Sequence, residues 1–262
     1  MDLSLTAKHA LVCGSTAGIG KATALELAHM GASLTLVARN EEKLKAVLQE
    51  LPVSEGQEHA YLVADFSQPA ALKKALAEVL AGGREYEILI NNTGGPPGGP
   101  ITEADPEAFR IAFNQHLVCN QILAQAVLPG MKAKSYGRIV NVISTSVKQP
   151  LNGLGVSNTT RGAVANWAKT WANEVGAWGI TVNNVLPGAT ATGRLTSIIG
   201  NKAQKLGLSE EQAADKMKSI IPAGRFARPE EVAWAIAFLV SPAAAYINGI
   251  NLPVDGGRTG SL

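Results

Sequence analysis

The chain has 262 residues, of which 46% are hydrophobic and 17% are charged, and its formal net charge is only +2. This length and composition favour a single α/β domain over residues 1–262. The low charge and the absence of a basic, aromatic-rich run argue against nucleic acid as a partner. No apolar run of 18 residues and no leader-like N-terminus occur in the sequence, so we expect a cytoplasmic protein with no membrane segment.

In chain order, short β-rich runs alternate with segments of helical periodicity. That alternation predicts a doubly wound parallel sheet with helices on both faces. The amphipathic segment 189–225 predicts a lid over a pocket, and the Gly/Pro-rich segment 93–100 predicts a loop. The runs are HALVCG, ASLTLVA, HAYLVA, EILINN, GRIVNVIS, GITVNNVLPG and GINLPVDGG, and the predicted helices cover 18–30, 41–50, 69–81, 104–131, 157–176 and 229–240.

A glycine-rich segment, CGSTAGIG, links the first run to the first helix through Gly14, Gly18 and Gly20. Glycines there permit a tight turn and close approach to a pyrophosphate, whose charge would face the free N–H groups of the helix. A plain strand-to-helix turn is the alternative, but the flanking strand and helix favour dinucleotide binding.

The second run ends in Arg39, at the place where an acidic side chain would bind the ribose 2′-hydroxyl of NAD. An arginine suits a 2′-phosphate instead. We therefore predict NADP(H), with NAD(H) possible and a merely solvated Arg39 as the alternative.

The two cysteines, Cys13 and Cys119, lie far apart in sequence and have no metal-ligand spacing. We predict two packed thiols, no disulfide framework and no metal site.

Several motifs, in order, resemble those of the short-chain dehydrogenase/reductase family. CGSTAGIG resembles its TGxxxGIG, with Cys13 in the threonine place, and NNTG resembles its NNAG. ADF, GRIVNVIS, VNNVLPGATAT, PAGRFARPEEVA and INGINLPVDGG match further segments. The resemblance implies a Rossmann-like domain with seven parallel strands, a homotetramer or dimer, and hydride transfer between a nicotinamide and a small-molecule carbonyl or alcohol, similar to that of 3-oxoacyl-thioester reductases. The cofactor contacts that it implies are Gly14, Ser15, Gly18, Ile19, Gly20, Arg39, Asp65, Phe66, Asn91, Gly94, Pro187, Gly188, Thr190 and Thr192.

The catalytic positions that the resemblance implies are only partly filled by the family's residues. Ser144, in NVIS, occupies the place of the serine that holds the substrate carbonyl, although a Ser/Thr cluster could simply end a strand. Ser157 and Arg161, in SNTTR, stand where the family has the tyrosine and lysine of YxxxK. His116 stands at the asparagine position.

These replacements change the proton chemistry that the site can perform. A serine hydroxyl is a much weaker acid than a phenol, and Arg161 keeps a positive charge but cannot relay a proton. His116 titrates near neutral pH, which makes it the predicted proton source, directly or through water, unless it is structural. Asn114 lies two residues out of register and would face another side of its helix.

Simpler interpretations of two segments remain open. Ser157 or Asn158 could cap the helix that follows, and Thr192 could cap the first helix of the lid. The sequence thus supports an NADP(H)-dependent carbonyl reductase or alcohol dehydrogenase with an atypical proton donor. A non-catalytic NADP(H)-binding sensor or assembly subunit is the alternative, and reduction of a quinone with a solvent proton is a third possibility.

Overall fold

A seven-stranded parallel sheet lies at the centre of the computed structural model, which describes residues 1–261. The strands are β1 (His9–Cys13), β2 (Ser33–Ala38), β3 (Ala60–Val63), β4 (Ile88–Asn91), β5 (Gly137–Val142), β6 (Ile180–Pro187) and β7 (Asn251–Val254). Their order in the sheet is β3-β2-β1-β4-β5-β6-β7, so the chain winds outward from β1 to one edge and from β4 to the other. The predicted parallel sheet is confirmed.

Nine α-helices connect the strands within the described residues. They are α1 (Gly18–His29), α2 (Glu41–Glu50), α3 (Pro69–Ala81), α4 (Pro106–Phe113), α5 (Cys119–Ala133), α6 (Gly155–Val175), α7 (Gly193–Leu206), α8 (Glu210–Lys218) and α9 (Pro229–Val240). None of them is long and apolar enough to cross a membrane. Helices α7 and α8 lie in the segment predicted as a lid, and their use as a lid stays a prediction.

Alternating side chains of each strand build two apolar layers, one on each face of the sheet. On β1, Val12 packs with buried side chains of α1, α2 and α9, whereas Leu11 packs with those of α3, α5 and α6. The doubly wound arrangement is thereby confirmed.

Cys13 and Cys119 are free and buried, as predicted, and burial raises the pKa of Cys119 to about 12.

Two helix boundaries differ from the predictions. The single helix predicted over 104–131 is instead two helices, α4 and α5, joined by one π-helical segment, Asn114–Val118. The wider turn of this segment changes the directions in which the following side chains point. Helix α6 begins at Gly155, so neither Ser157 nor Asn158 caps it. A Cβ on Gly155 would lie 2.4 Å from the Cβ of Ile101, which explains why the helix can start this close to a neighbouring turn.

An asparagine ladder crosses four neighbouring strands of the sheet, and sequence reasoning missed it. Asn91, Asn141, Asn184 and Asn251 are in register on β4, β5, β6 and β7. Each amide Nδ2 donates to the Oδ1 of the next asparagine, at 2.8, 2.9 and 2.8 Å. These bonds stabilise the strand register directly below the candidate site.

Candidate active site

The glycine-rich segment forms a close turn between β1 and α1. Gly14 and Gly18 have φ values of +60° and +54°, which favour glycine. A Cβ on Gly20 would lie 2.1 Å from the carbonyl oxygen of Gly14, so no side chain fits there. Ala17, the N-cap of α1, offers no side-chain acceptor, and the first N–H groups of the helix therefore remain available to an anion.

The N-terminus of α7 meets this turn. Thr192 occupies the N-cap position of α7, as the alternative interpretation expected. Its hydroxyl, however, donates to the carbonyl oxygen of Thr190 at 3.3 Å and accepts no hydrogen bond from the N–H groups of the helix. A Cβ on Gly18 would lie 3.0 Å from Cγ2 of Thr192. The N-termini of α1 and α7, neither of which has a side-chain cap, therefore lie next to each other. Their partial positive charges fit a diphosphate.

Side chains that follow β2 and β3 lie at the same carboxyl edge of the sheet as the glycine turn. Arg39 is exposed just after β2, and Asp65 lies just after β3. The backbone N–H of Ser67 lowers the pKa of Asp65, and the charge of Arg39 lowers it further, while burial acts in the opposite direction. Phe66 is buried, and its carbonyl oxygen accepts from Sγ of Cys119 at 3.3 Å.

The other predicted cofactor residues also lie at the carboxyl ends of strands. A Cβ on Gly188 would come within 2.7 Å of Asp255, whereas Gly94 has open space around it. Ser15 is buried and its hydroxyl donates to the carbonyl oxygen of Val37 at 3.4 Å, so this side chain supports the turn. Asn91, Pro187, Gly188, Thr190 and Ile19 lie at this same edge of the sheet.

Ser144 lies two residues beyond β5 and is half-buried. Its hydroxyl oxygen accepts from the backbone N–H of Ser146 at 3.1 Å. The O–H proton is left free to donate to a substrate oxygen. Ser157, in the first turn of α6, is half-buried, and its hydroxyl makes no hydrogen bond to residues 1–261.

Arg161 lies inside the protein with only 8% of its surface exposed. Its Nη1 donates to the carbonyl oxygen of Val142 at 2.8 Å, which connects α6 to the end of β5. Burial lowers the pKa of Arg161 to about 10, and the charge of Arg194 contributes to the same shift. The guanidinium therefore remains charged at neutral pH.

Arg194, the second residue of α7, belongs to the same cluster, and sequence reasoning missed it because its spacing matches no motif. Its side chain is exposed, and it donates to the carbonyl oxygens of Gly95 at 3.1 Å and Pro96 at 3.0 Å. A Cβ on Gly95 would lie 3.0 Å from Nη2 of Arg194 and 3.6 Å from Nη2 of Arg161. The two guanidinium groups therefore converge on one glycine.

His116 lies in the π-helical segment between α4 and α5 and is only 2% exposed. Burial lowers its pKa to about 2; the charges of Arg161 and Arg194 lower it further, and the backbone of Gly94 acts in the opposite direction. The expectation that this ring titrates near neutral pH is therefore wrong, because the buried imidazole stays neutral. Its Nε2 has no hydrogen-bond partner within residues 1–261, and Asn114 is exposed.

Comparison with known proteins identifies the family. A family model described as "Enoyl-(Acyl carrier protein) reductase" matches residues 14–259. The chain belongs to the short-chain dehydrogenase/reductase family. It is 34% identical over 250 residues to the granaticin polyketide synthase putative ketoacyl reductase 1 of Streptomyces violaceoruber, covering 95% of this chain and 92% of that protein. It is also 34% identical over 257 residues to a 3-oxoacyl-[acyl-carrier-protein] reductase of Vibrio cholerae, covering 97% and 98% of the two chains.

A solved structure agrees with this assignment to the short-chain dehydrogenase/reductase family. The L-sorbose reductase of Gluconobacter frateurii, in complex with NADPH and L-sorbose, superimposes with a TM-score of 0.92. The two sequences are 30% identical, and the match covers 100% of each chain.

In this family member, the four tyrosines provide no phenol to the cluster around Arg161. Three hydroxyl groups are bonded elsewhere, and Tyr246 is fully exposed. The bonded hydroxyls are those of Tyr61 to Glu41, Tyr86 to Thr35 and Tyr136 to the carbonyl oxygen of Val240.

Within residues 1–261, no group of three His, Cys, Asp or Glu side chains is placed to hold a metal ion.

Proposed function

We propose that the chain is an NADP(H)-dependent oxidoreductase that interconverts a carbonyl and a hydroxyl group of a small molecule, without a tyrosine as proton donor. The observation that carries the proposal is the position of α7. Its first turn contacts the glycine turn through Thr192 and reaches the cluster of Arg161 and His116 through Arg194. The residues proposed to bind the dinucleotide and those proposed for the reaction therefore lie next to each other.

The residues at the groove fit a nicotinamide dinucleotide. The uncapped N-termini of α1 and α7 would hold the diphosphate, and the segment from Pro187 to Thr192 would hold the nicotinamide end. Arg39 would bind the 2′-phosphate, which supports NADP(H) over NAD(H). The bound cofactor would supply or accept the hydride. The NADPH named for the L-sorbose reductase structure supports the same preference.

The substrate oxygen would be held by donors that do not change protonation state. Ser144 has a free O–H that would donate to the oxygen, and the Nε2 of the neutral His116 ring, which lacks a partner within residues 1–261, is available to a water molecule. Arg161, fixed on Val142, would stabilise negative charge that develops there or hold the cofactor ribose hydroxyls. Because the imidazole stays neutral, the proton itself would come from water, with His116 orienting that water.

The ketoacyl reductase names of the relatives support a keto group as the reacting carbonyl. A homotetramer or dimer and a cytoplasmic location remain predictions.

The proposal is tested by following NADPH and NADH oxidation at 340 nm against β-ketoacyl thioesters, ketoses, oxo acids, simple ketones and quinones. We expect turnover of at least one carbonyl class, with NADPH preferred. A Ser144→Ala variant that still binds NADPH should lose about 10²-fold or more in kcat. Tight NADPH binding without turnover of any class would overturn catalysis and favour the sensor alternative. Turnover of quinones alone would favour the third possibility, in which a quinone is reduced and takes its proton from solvent.

A further inference from the structure

Arg161 and Arg194 are two neighbouring cations for which residues 1–261 supply no counter-charge. The ion pairs of these residues all involve other side chains. The hydrogen bonds of both guanidinium groups go to backbone carbonyl oxygens only. A buried cation loses its hydration free energy, and an anion normally compensates for that loss.

The geometry aims both groups at one small region. Arg161 approaches Gly95 from α6 and Arg194 approaches it from α7, and both Nη2 atoms come within 3.6 Å of the Cβ position of that glycine. Arg161 uses one of its five N–H donors on Val142. Each arginine therefore keeps donors for a ligand, and an anion between them would relieve their mutual repulsion.

The same region borders the groups assigned to the substrate oxygen. Both arginine charges act on the ring of His116, and Arg161 is bonded to the residue two positions before Ser144. A planar guanidinium group binds a carboxylate through paired hydrogen bonds. A carboxylate held here would lie beside the carbonyl that Ser144 would hold.

We propose that Arg161 and Arg194 bind the carboxylate of the substrate, which is therefore an oxo acid with its charge close to the reacting carbonyl. The inference rests on the proposed function for the carbonyl half of the substrate. It also separates this chain from reductases of acyl thioesters, since a thioester carries no charge next to its acyl carbon.

The cofactor diphosphate is the other oxyanion within reach of α7. An arginine that served the diphosphate would alter NADPH affinity and leave the choice between acid and ester unchanged. The two sources are therefore separated by measuring cofactor affinity and substrate selectivity on the same variants.

The experiment compares 2-oxobutanoate, 2-oxo-4-phenylbutanoate and 4-oxopentanoate with their ethyl esters. Dissociation constants are measured by calorimetry on the enzyme–NADP⁺ complex, and kcat/KM is measured with NADPH. The variants are Arg194→Gln and Arg194→Lys, and the control is Arg258→Gln. Arg258 is half-buried and lines a cavity of about 220 Å³ with Gln149 and with Thr145, the residue that follows Ser144.

We expect at least one acid to bind about 10- to 100-fold more tightly than its ester. Arg194→Gln should remove this preference, Arg194→Lys should keep part of it, and NADPH affinity should stay within about twofold. Binding selectivity without turnover would contradict the proposed function but keep this inference. The inference would be overturned if the esters bound as well as all the acids. It would also be overturned if the preference for the acid were lost in Arg258→Gln and kept in Arg194→Gln. A loss confined to NADPH affinity would assign Arg194 to the diphosphate and overturn it too.

Discussion

The guanidinium group of Arg161 is fixed to the carbonyl oxygen of Val142 by a 2.8 Å hydrogen bond. This bond connects the middle of the site to the end of a central strand, so the charge is held in place before any ligand binds. A lysine has a single ammonium group and cannot donate to Val142 and extend a planar fork to a ligand at once.

Arg161→Lys should therefore lower kcat/KM by about 10- to 100-fold while the protein remains folded. The matched control is Arg138→Lys at the opposite end of β5. Arg138 is also buried, and its Nη1 donates to the carbonyl oxygens of Gly137 and Gly179. Steady-state kinetics and thermal melts on both variants check this expectation. Equal losses of kcat/KM would show that Arg161 acts only through stability.

The neutral state of His116 predicts a specific pH dependence of stability. Its pKa is about 2 in the folded protein and about 6.5 when the ring is exposed, so unfolding takes up a proton between these values. The contribution of the neutral ring to the free energy of unfolding is complete above pH ~6.5 and is lost as the pH falls. About 2 kcal/mol of it is lost between pH 7 and pH 5.

Urea titrations at pH 7 and pH 5 measure that difference. His116→Gln should reduce it, whereas His29→Gln, at an exposed position, should not. The same neutral ring predicts a kcat profile without an inflection near pH 6.5. An inflection there that disappears in His116→Gln would show that the ring titrates during catalysis.

Gly20→Ala tests the fit of the glycine turn. The added Cβ would lie 2.1 Å from the carbonyl oxygen of Gly14, so the turn must open at a cost of about 1–3 kcal/mol. NADPH affinity should fall together with stability. Gly162→Ala is the control, because this helical glycine has open space around it and alanine should stabilise α6 by up to about 1 kcal/mol. Unchanged NADPH binding in Gly20→Ala would refute the assignment of this turn to the diphosphate.

Arg39→Ala tests the cofactor preference. If the exposed guanidinium binds the 2′-phosphate, NADPH affinity should drop about 10- to 100-fold and NADH affinity should hardly change. Fluorescence titration with both nucleotides gives the two affinities. Arg110→Ala removes an exposed arginine on α4 that pairs with Glu107, and it controls for the general loss of charge. Parallel losses for both nucleotides in Arg39→Ala would contradict a phosphate contact.

Asn141→Ala interrupts the middle of the asparagine ladder. It leaves the Nδ2 of Asn91 without its acceptor and the Oδ1 of Asn184 without its donor, at a cost of about 2–4 kcal/mol. Asn251→Ala removes only the last bond, on the edge strand, and should cost about 1 kcal/mol. Chemical denaturation of both variants measures the difference. Equal costs would contradict the expectation that the interior asparagine contributes more to stability than the one on the edge strand.

The sequence was a good guide to the fold because strand and helix patterns depend on local periodicity, as with the β1 run and the glycine turn after it. It was a poorer guide where tertiary contacts decide. The π-helical segment around His116 and the pKa of its ring depend on packing that no spacing reveals. Arg194 reaches the site only because α7 folds back onto Gly95. Ser157 was considered as a helix cap, but α6 begins at Gly155, where a side chain would collide with Ile101 from a distant part of the chain.

The asparagine ladder has a direction, because in each of its three bonds the Nδ2 of the asparagine nearer β4 donates to the Oδ1 of the asparagine nearer β7. Reversing one amide alone would place two oxygens or two N–H groups face to face, so the four side chains must turn as a unit. The Oδ1 of Asn91 ends the row without a partner within residues 1–261. The row therefore joins Asn91, on a central strand, to β7 at the edge of the sheet through one continuous polar connection.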